Sequence, residues 1–171
     1  VDPKAPRPPA DEMVMVMNGY DTDFDTENNF YTVNGIPYYY MHHPVQIQKD
    51  KPVRIYLVNM LEFDPLNNFH LHANVFDYYP SGTRLQPDEL TDIVTTNQGE
   101  RGILEFKYKY PGNFMFHAHK TEFAEKGWMG TFFVSDKNTV RNSSQTDNSS
   151  FYDTLNNSFV TNTPETSGGR M

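Results

Sequence analysis

The chain contains no cysteine. That absence removes disulfides, thiolate zinc sites, iron–sulfur clusters and any blue copper centre needing a cysteine sulfur from what this chain can build alone. Long apolar runs are also missing, and none approaches the roughly 20 residues of a membrane-spanning helix. Basic residues are scarce, with 14 Lys and Arg against 22 Asp and Glu and a formal net charge of −8. A nucleic-acid binder needs a basic stripe to neutralise phosphates, so nucleic acid is excluded as a partner. The opening VDPKAPRPPA reads as neither a signal peptide nor a helix. We therefore expect a soluble chain, a mature or excised piece, with any membrane anchor outside it.

What the sequence does have is aromatic bulk, 13 Phe and 11 Tyr, most of them before residue 134. Short alternating runs carry them: MVMVM, FYTV before Asn34-Gly35, VQIQ, VRIYLV, NFHLHANVF, DIVTT, ILEFKY, NFMFHAH and GTFFVS. Eight or nine short strands separated by turn signals, with no long helical period, predict an all-β sandwich or barrel. HKTEFAEKG, residues 119–127, predicts one helical turn or two. Composition divides the chain into a Pro-rich linker (1–11), a structured domain (12–136) and a Ser/Thr/Asn-rich, extended and flexible tail (137–171) too poor in large apolar residues to fold alone. Asn142, Asn148 and Asn156 in that tail begin Asn-x-Ser sequons, which fit an extracellular setting but also arise from composition.

Two His-x-His pairs, His70/His72 and His117/His119, lie inside strand-like runs. Residues i and i+2 of a strand share a face, so each pair presents two imidazoles side by side, and pairing the strands would gather four nitrogen ligands. Random placement of six histidines gives on the order of a few tenths of one such pair. The bland alternative is a half-buried strand edge. Clustered imidazoles suit copper best, then zinc, then iron or nickel, while a hard-cation site would show carboxylates at the pairs.

FHLH on one strand, TDIV on a later one and PGNFMFHAHKTEFAEKGWMG near the end resemble the C-terminal cupredoxin domain of a multicopper oxidase, over about residues 13–134. The resemblance implies a Greek-key cupredoxin barrel or sandwich, with copper as cofactor. It also implies that His70, His72, His117 and His119 form half of a trinuclear cluster shared with another cupredoxin domain. That domain would come from the same protein, a homo-oligomer or a partner chain. A small organic or metal-ion donor would be oxidised and dioxygen reduced to water, outside the cell, at its surface or in the periplasm.

Departures from the family pattern are equally specific. Where family members with a type 1 copper carry Cys, His, His and Met, this chain has Ala118, Asn67, Phe123, and Trp128 beside Met129. The resemblance then points to the second half of two-domain oxidases, which assemble as trimers and keep their type 1 site in the first domain. Isolated, the chain is not expected to be active. Two other readings stay open: a secreted mononuclear or dinuclear copper-binding module without oxidase activity, and a structural cupredoxin used in assembly.

Asp92, in an otherwise apolar strand, and Glu122, one helical turn past the last histidine, are candidates to orient a ligand or relay protons, with Glu125 as an alternative. Edge, capping or solvated-face roles compete with that reading. His42 and His43 are adjacent and read as surface or interface residues. Met13, Met15 and Met17 alternate as core strand residues do, although thioethers also bind Cu(I). Trp128 and Tyr38–Tyr40 read as packing and interface.

Overall fold

The computed structural model describes residues 7–136. The chain divides into two compact units, 1–139 and 140–171, and all the described residues belong to the first. The tail expected over 137–171 and its three sequons lie outside the described residues.

Alternating apolar residues fold into eleven strands. They are β1 (Asp11–Tyr20), β2 (Phe30–Val33), β3 (Val45–Gln48), β4 (Val53–Asn59), β5 (Leu66–Leu71), β6 (Phe76–Pro80), β7 (Glu89–Thr91), β8 (Ile93–Asn97), β9 (Arg101–Phe106), β10 (Gly112–His117) and β11 (Met129–Ser135). Short helices α1 (Tyr39–His42) and α2 (Thr121–Glu125) interrupt them. One sheet runs β2-β1-β4-β9-β6-β7 and the other β3-β11-β10-β5-β8. Met15, Met17, Ile55, Leu57 and Leu104 from the first meet Phe69, Phe116 and Phe132 from the second, with Trp128 from just before β11, in one core. Burial of so much aromatic surface is the main stabilising term, since each such ring contributes about 1.5–3 kcal/mol when fully buried. The alternating methionines thus serve packing at Met15 and Met17, both buried.

Asn34-Gly35 makes the expected two-residue turn, with φ of 58° and 95°, the left-handed pair a type I′ turn requires. Val33 and Ile36 bridge across it.

NFHLHANVF, by contrast, is not one strand. β5 stops at Leu71, Ala73 takes a positive φ of 56°, and β6 starts at Phe76. The Asn74 side chain stabilises that break, accepting from Val75 N–H and donating to the Lys107 carbonyl. His72 and His119 consequently stand just past strand ends rather than within strands.

Before β1, Arg7 is tied down despite the irregular backbone around it. Its guanidinium pairs with Glu105 at 3.1 Å, lies 4.0 Å over the Tyr79 ring and donates to the Arg84 carbonyl at 2.7 Å. Arg54 joins from beneath, bonded to Glu105, Glu12 and the Pro8 carbonyl.

Candidate metal centre

β5 and β10 run antiparallel in the middle of the second sheet and pair over only two positions, Leu71 with Phe116 and His70 with His117. That register places the histidines of both motifs side by side at one end of the sheet. Ring centroids lie 4.9 Å apart for His70 and His72, 5.3 Å for His70 and His117, 5.2 Å for His70 and His119, and 4.9 Å for His72 and His117. Ring nitrogens of His70, His72 and His117 all fall within 4.8 Å of one another. His119 is the outlying member, 6.1 Å from His117 by ring centroids, and is exposed.

Hydrogen bonds orient two of the rings. His70 Nδ1 lies 3.0 Å from the Asp92 carbonyl, and His117 Nδ1 lies 2.6 Å from the Ala118 carbonyl. Each Nδ1 therefore carries the donated proton, leaving Nε2 with a lone pair for a metal. Tyr108, buried and pushed well above the ordinary phenol range by that burial, donates its hydroxyl to the His72 carbonyl at 2.8 Å. Partial burial holds the His72 imidazole below its ordinary pKa, with the neighbouring imidazoles adding to the effect; burial does the same at His117. Both favour the neutral, metal-ligating form. Three imidazoles with converging ring nitrogens, two of them with proton-free Nε2, and a fourth imidazole beside them fit copper, and no thiol or carboxylate joins the three.

Asp92 contributes through its backbone: its carbonyl receives both His70 Nδ1 and the Leu71 N–H, while its carboxylate is largely exposed and 3.8 Å from His70 Nδ1. Glu122 lies on α2, where it pairs with Lys126 at 2.9 Å and Lys120 at 3.9 Å; among the described residues it bonds to no histidine. The Glu125 carbonyl accepts from the Tyr38 hydroxyl. His42 and His43 sit at the end of α1, with His43 stacked on Tyr39, and do not join the four. Ala118, Asn67, Phe123 and Trp128 are all completely buried, with Phe123 stacked on Tyr31 at 3.9 Å and Trp128 packed on Phe69 and Phe116.

Sequence reasoning missed Asn68, Lys120 and Asp64. Asn68 Oδ1 accepts from the His119 N–H at 2.6 Å, and Lys120 Nζ reaches Asp64 at 3.1 Å. Asp64 is held in turn by Tyr31 and Asn28. Only the position of Asn68, two residues before His70 on the same strand, hinted that it shares the site's face.

The multicopper oxidase family profile matches residues 6–138. A solved multicopper oxidase is 62% identical, with a TM-score of 0.75 over 75% of this chain and 46% of its own. The multicopper oxidase of Staphylococcus epidermidis is 28% identical over 71 residues, 40% of this chain and 16% of that protein. Copper nitrite reductase from Nitrosomonas europaea, 20% identical with a TM-score of 0.70 over 78% of this chain and 52% of its own, shares the fold. The chain thus spans less than half the length of these two multicopper oxidases. An all-β cupredoxin fold with a copper-suited imidazole cluster and a family match across the described domain lead to one assignment: this chain is a copper-binding domain of the multicopper oxidase family.

Proposed function

We propose that the chain supplies half of a copper cluster completed by a second cupredoxin domain, in an oxidase that couples oxidation of a small donor to reduction of dioxygen to water. One observation carries the reading. Four imidazoles crowd one sheet end, three converging while His119, packed beside His70, stays exposed, so its ligand nitrogen is available to a metal shared across an interface. His70, His72, His117 and His119 are the proposed ligands.

His70, His72, His117 and His119 would hold the copper, which when bound would supply the redox and Lewis-acid chemistry of dioxygen reduction. The chain's own part is to position and to exclude. The Asp92 and Ala118 carbonyls fix the tautomers of His70 and His117, and the Asp92 carboxylate is placed to accept or return a proton beside His70. Glu122 is assigned the relay role more distantly, through its pair with Lys120. Buried Ala118, Asn67, Phe123 and Trp128 leave no type 1 ligand set, so the electron-accepting blue centre belongs to another domain. We further assign the protein to the outside of the cell, its surface or the periplasm, as an oligomer or fused to its partner domain.

A second reading rests on the three convergent nitrogens of His70, His72 and His117, which suffice for one ion inside a single chain. That would make the domain a mononuclear copper carrier. Solution mass with copper counting separates them: association with more than one copper per interface supports the shared cluster, and a monomer holding one tight copper supports the carrier.

A further inference from the structure

The four histidines are not held alike. From the register that sets His70 opposite His117, the backbone ladder continues one step beyond Leu71, where the His72 N–H donates to the Met115 carbonyl at 2.9 Å. His70 and His117 are further fixed through ring Nδ1. Carried the other way, the same register sets Ala118 opposite Phe69 and His119 opposite Asn68. Here the ladder fails. Ala118 still follows the other neighbour, its N–H meeting the Trp128 carbonyl at 3.2 Å in continuation of the His117–Met129 pairing; His119, whose N–H points toward β5, is where pairing with β5 breaks as the chain bends into α2. Among the described residues none hydrogen-bonds the His119 ring nitrogens, and the ring packs against His70 and His117.

What replaces the ladder is one side chain. Asn68 Oδ1 accepts the backbone N–H of His119 at 2.6 Å and that of Lys120 at 3.2 Å. A carboxamide oxygen has two lone pairs, so one atom satisfies both donors. Because Asn68 and His70 belong to the same strand, the bond ties the fourth imidazole directly to the strand carrying the first. Lys120 also reaches Asp64, but through its flexible ammonium, which does not constrain the His119 backbone.

We propose that Asn68 is a positioning residue of the copper centre, its side-chain oxygen standing in for a missing backbone carbonyl and fixing His119 relative to the other three histidines. This rests on reading the four histidines as the ligand set. Asp at this position keeps the acceptor oxygens, whereas Ala removes them.

The test compares the parent chain with Asn68→Ala and Asn68→Asp in two readouts. In the metal-free chain, amide hydrogen exchange at His119 should accelerate about tenfold in Asn68→Ala, the loss of one hydrogen bond, and stay near the parent rate in Asn68→Asp. With Cu(II) alone, Asn68→Ala should lose about 10-fold in affinity, as removal of a ligand-orienting partner does, and its electron paramagnetic resonance should change in nitrogen hyperfine pattern. Asn68→Asp should restore both. In a His119→Ala background, Asn68→Ala should lower copper affinity no further. Unchanged exchange at His119 overturns the proposal, and so does an equal affinity loss with or without His119. A parent chain that binds no copper defeats the ligand-set reading, while hydrogen exchange still decides the role of Asn68. If Asn68→Ala does not fold, Asn68→Ser, too short to span the inter-strand gap, takes its place in both readouts.

Discussion

His72 and His117 face each other across two strands with their Nε2 atoms 2.8 Å apart. His117 already donates from Nδ1 to the Ala118 carbonyl, so its Nε2 accepts, and in the metal-free chain the proton between the two nitrogens belongs to His72. A metal ion takes that proton's place. Burial holds both imidazoles below the ordinary 6.5, so the neutral form predominates at that pH. Copper should therefore raise the melting temperature of the chain by ligand linkage at neutral pH. The increment should be kept down to about pH 6.5 and shrink below it, as protons begin to compete for the ligands. Differential scanning calorimetry with and without copper across that range checks this, with a His72→Gln/His117→Gln double variant as control. An increment that survives in the double variant would place the copper elsewhere.

A second expectation concerns Glu105, which takes hydrogen bonds from Arg54, Arg7 and Tyr79. Burial pushes its carboxyl upward, but Arg54, Tyr79 and Arg7 outweigh that and hold it below the ordinary 4.5. A carboxylate depressed in the folded state contributes stability that is complete above its unfolded pKa and lost as pH falls through the folded one. Stability should thus decline below about pH 4.5, and Glu105→Gln should flatten that decline. At neutral pH the same change removes one charged partner of Arg54, only 4% exposed, and leaves it Glu12 and the Pro8 carbonyl. It should cost about 1.5 kcal/mol in urea unfolding, the low end of the loss for a hydrogen bond to a charged group.

Copper-loaded protein from this chain alone should show no intense red-visible absorption. That band needs charge transfer from a thiolate, and the chain has no cysteine. The corresponding position, Ala118, is completely buried, and its N–H donates to the Trp128 carbonyl. A strong blue colour in a purified preparation would sink this reading.

The sequence revealed most of the scaffold because its strands are amphipathic and bounded by turn residues. β1, β4, β9, β10 and β11 all follow the alternating runs, and Asn34-Gly35 is legible because its two residues tolerate positive φ. β7 escaped notice: Glu89–Thr91 is three residues long and mostly exposed, leaving little apolar pattern to read. The partnership of the two His-x-His motifs was legible for the same reason as the strands, since i and i+2 share a face. The breaks after Leu71 and His117 were not, because they depend on long-range bonds from Asn74 and Asn68. Nor did spacing disclose that Asp92 orients His70 with its carbonyl, a group every residue possesses.

Thr96 and Asn67 face each other across β8 and β5, both essentially buried, and Thr96 Oγ1 and Asn67 Nδ2 each lack a hydrogen-bond partner. A buried hydroxyl without a partner costs about 1–3 kcal/mol relative to water. Valine has nearly the same shape and no polar atom, so Thr96→Val should stabilise the chain by about 1 kcal/mol and raise the melting temperature by roughly 4 °C. The backbone carbonyl of Thr96, which accepts from Asn59, is untouched by the change. Thr32, equally buried with an unpartnered hydroxyl in the other sheet, provides an independent check through Thr32→Val. Copper binding should be unaltered in both variants, since neither side chain touches an imidazole. Calorimetry decides: a loss of stability in Thr96→Val would mean its hydroxyl is bonded after all, with a buried water between Thr96 and Asn67 as the partner.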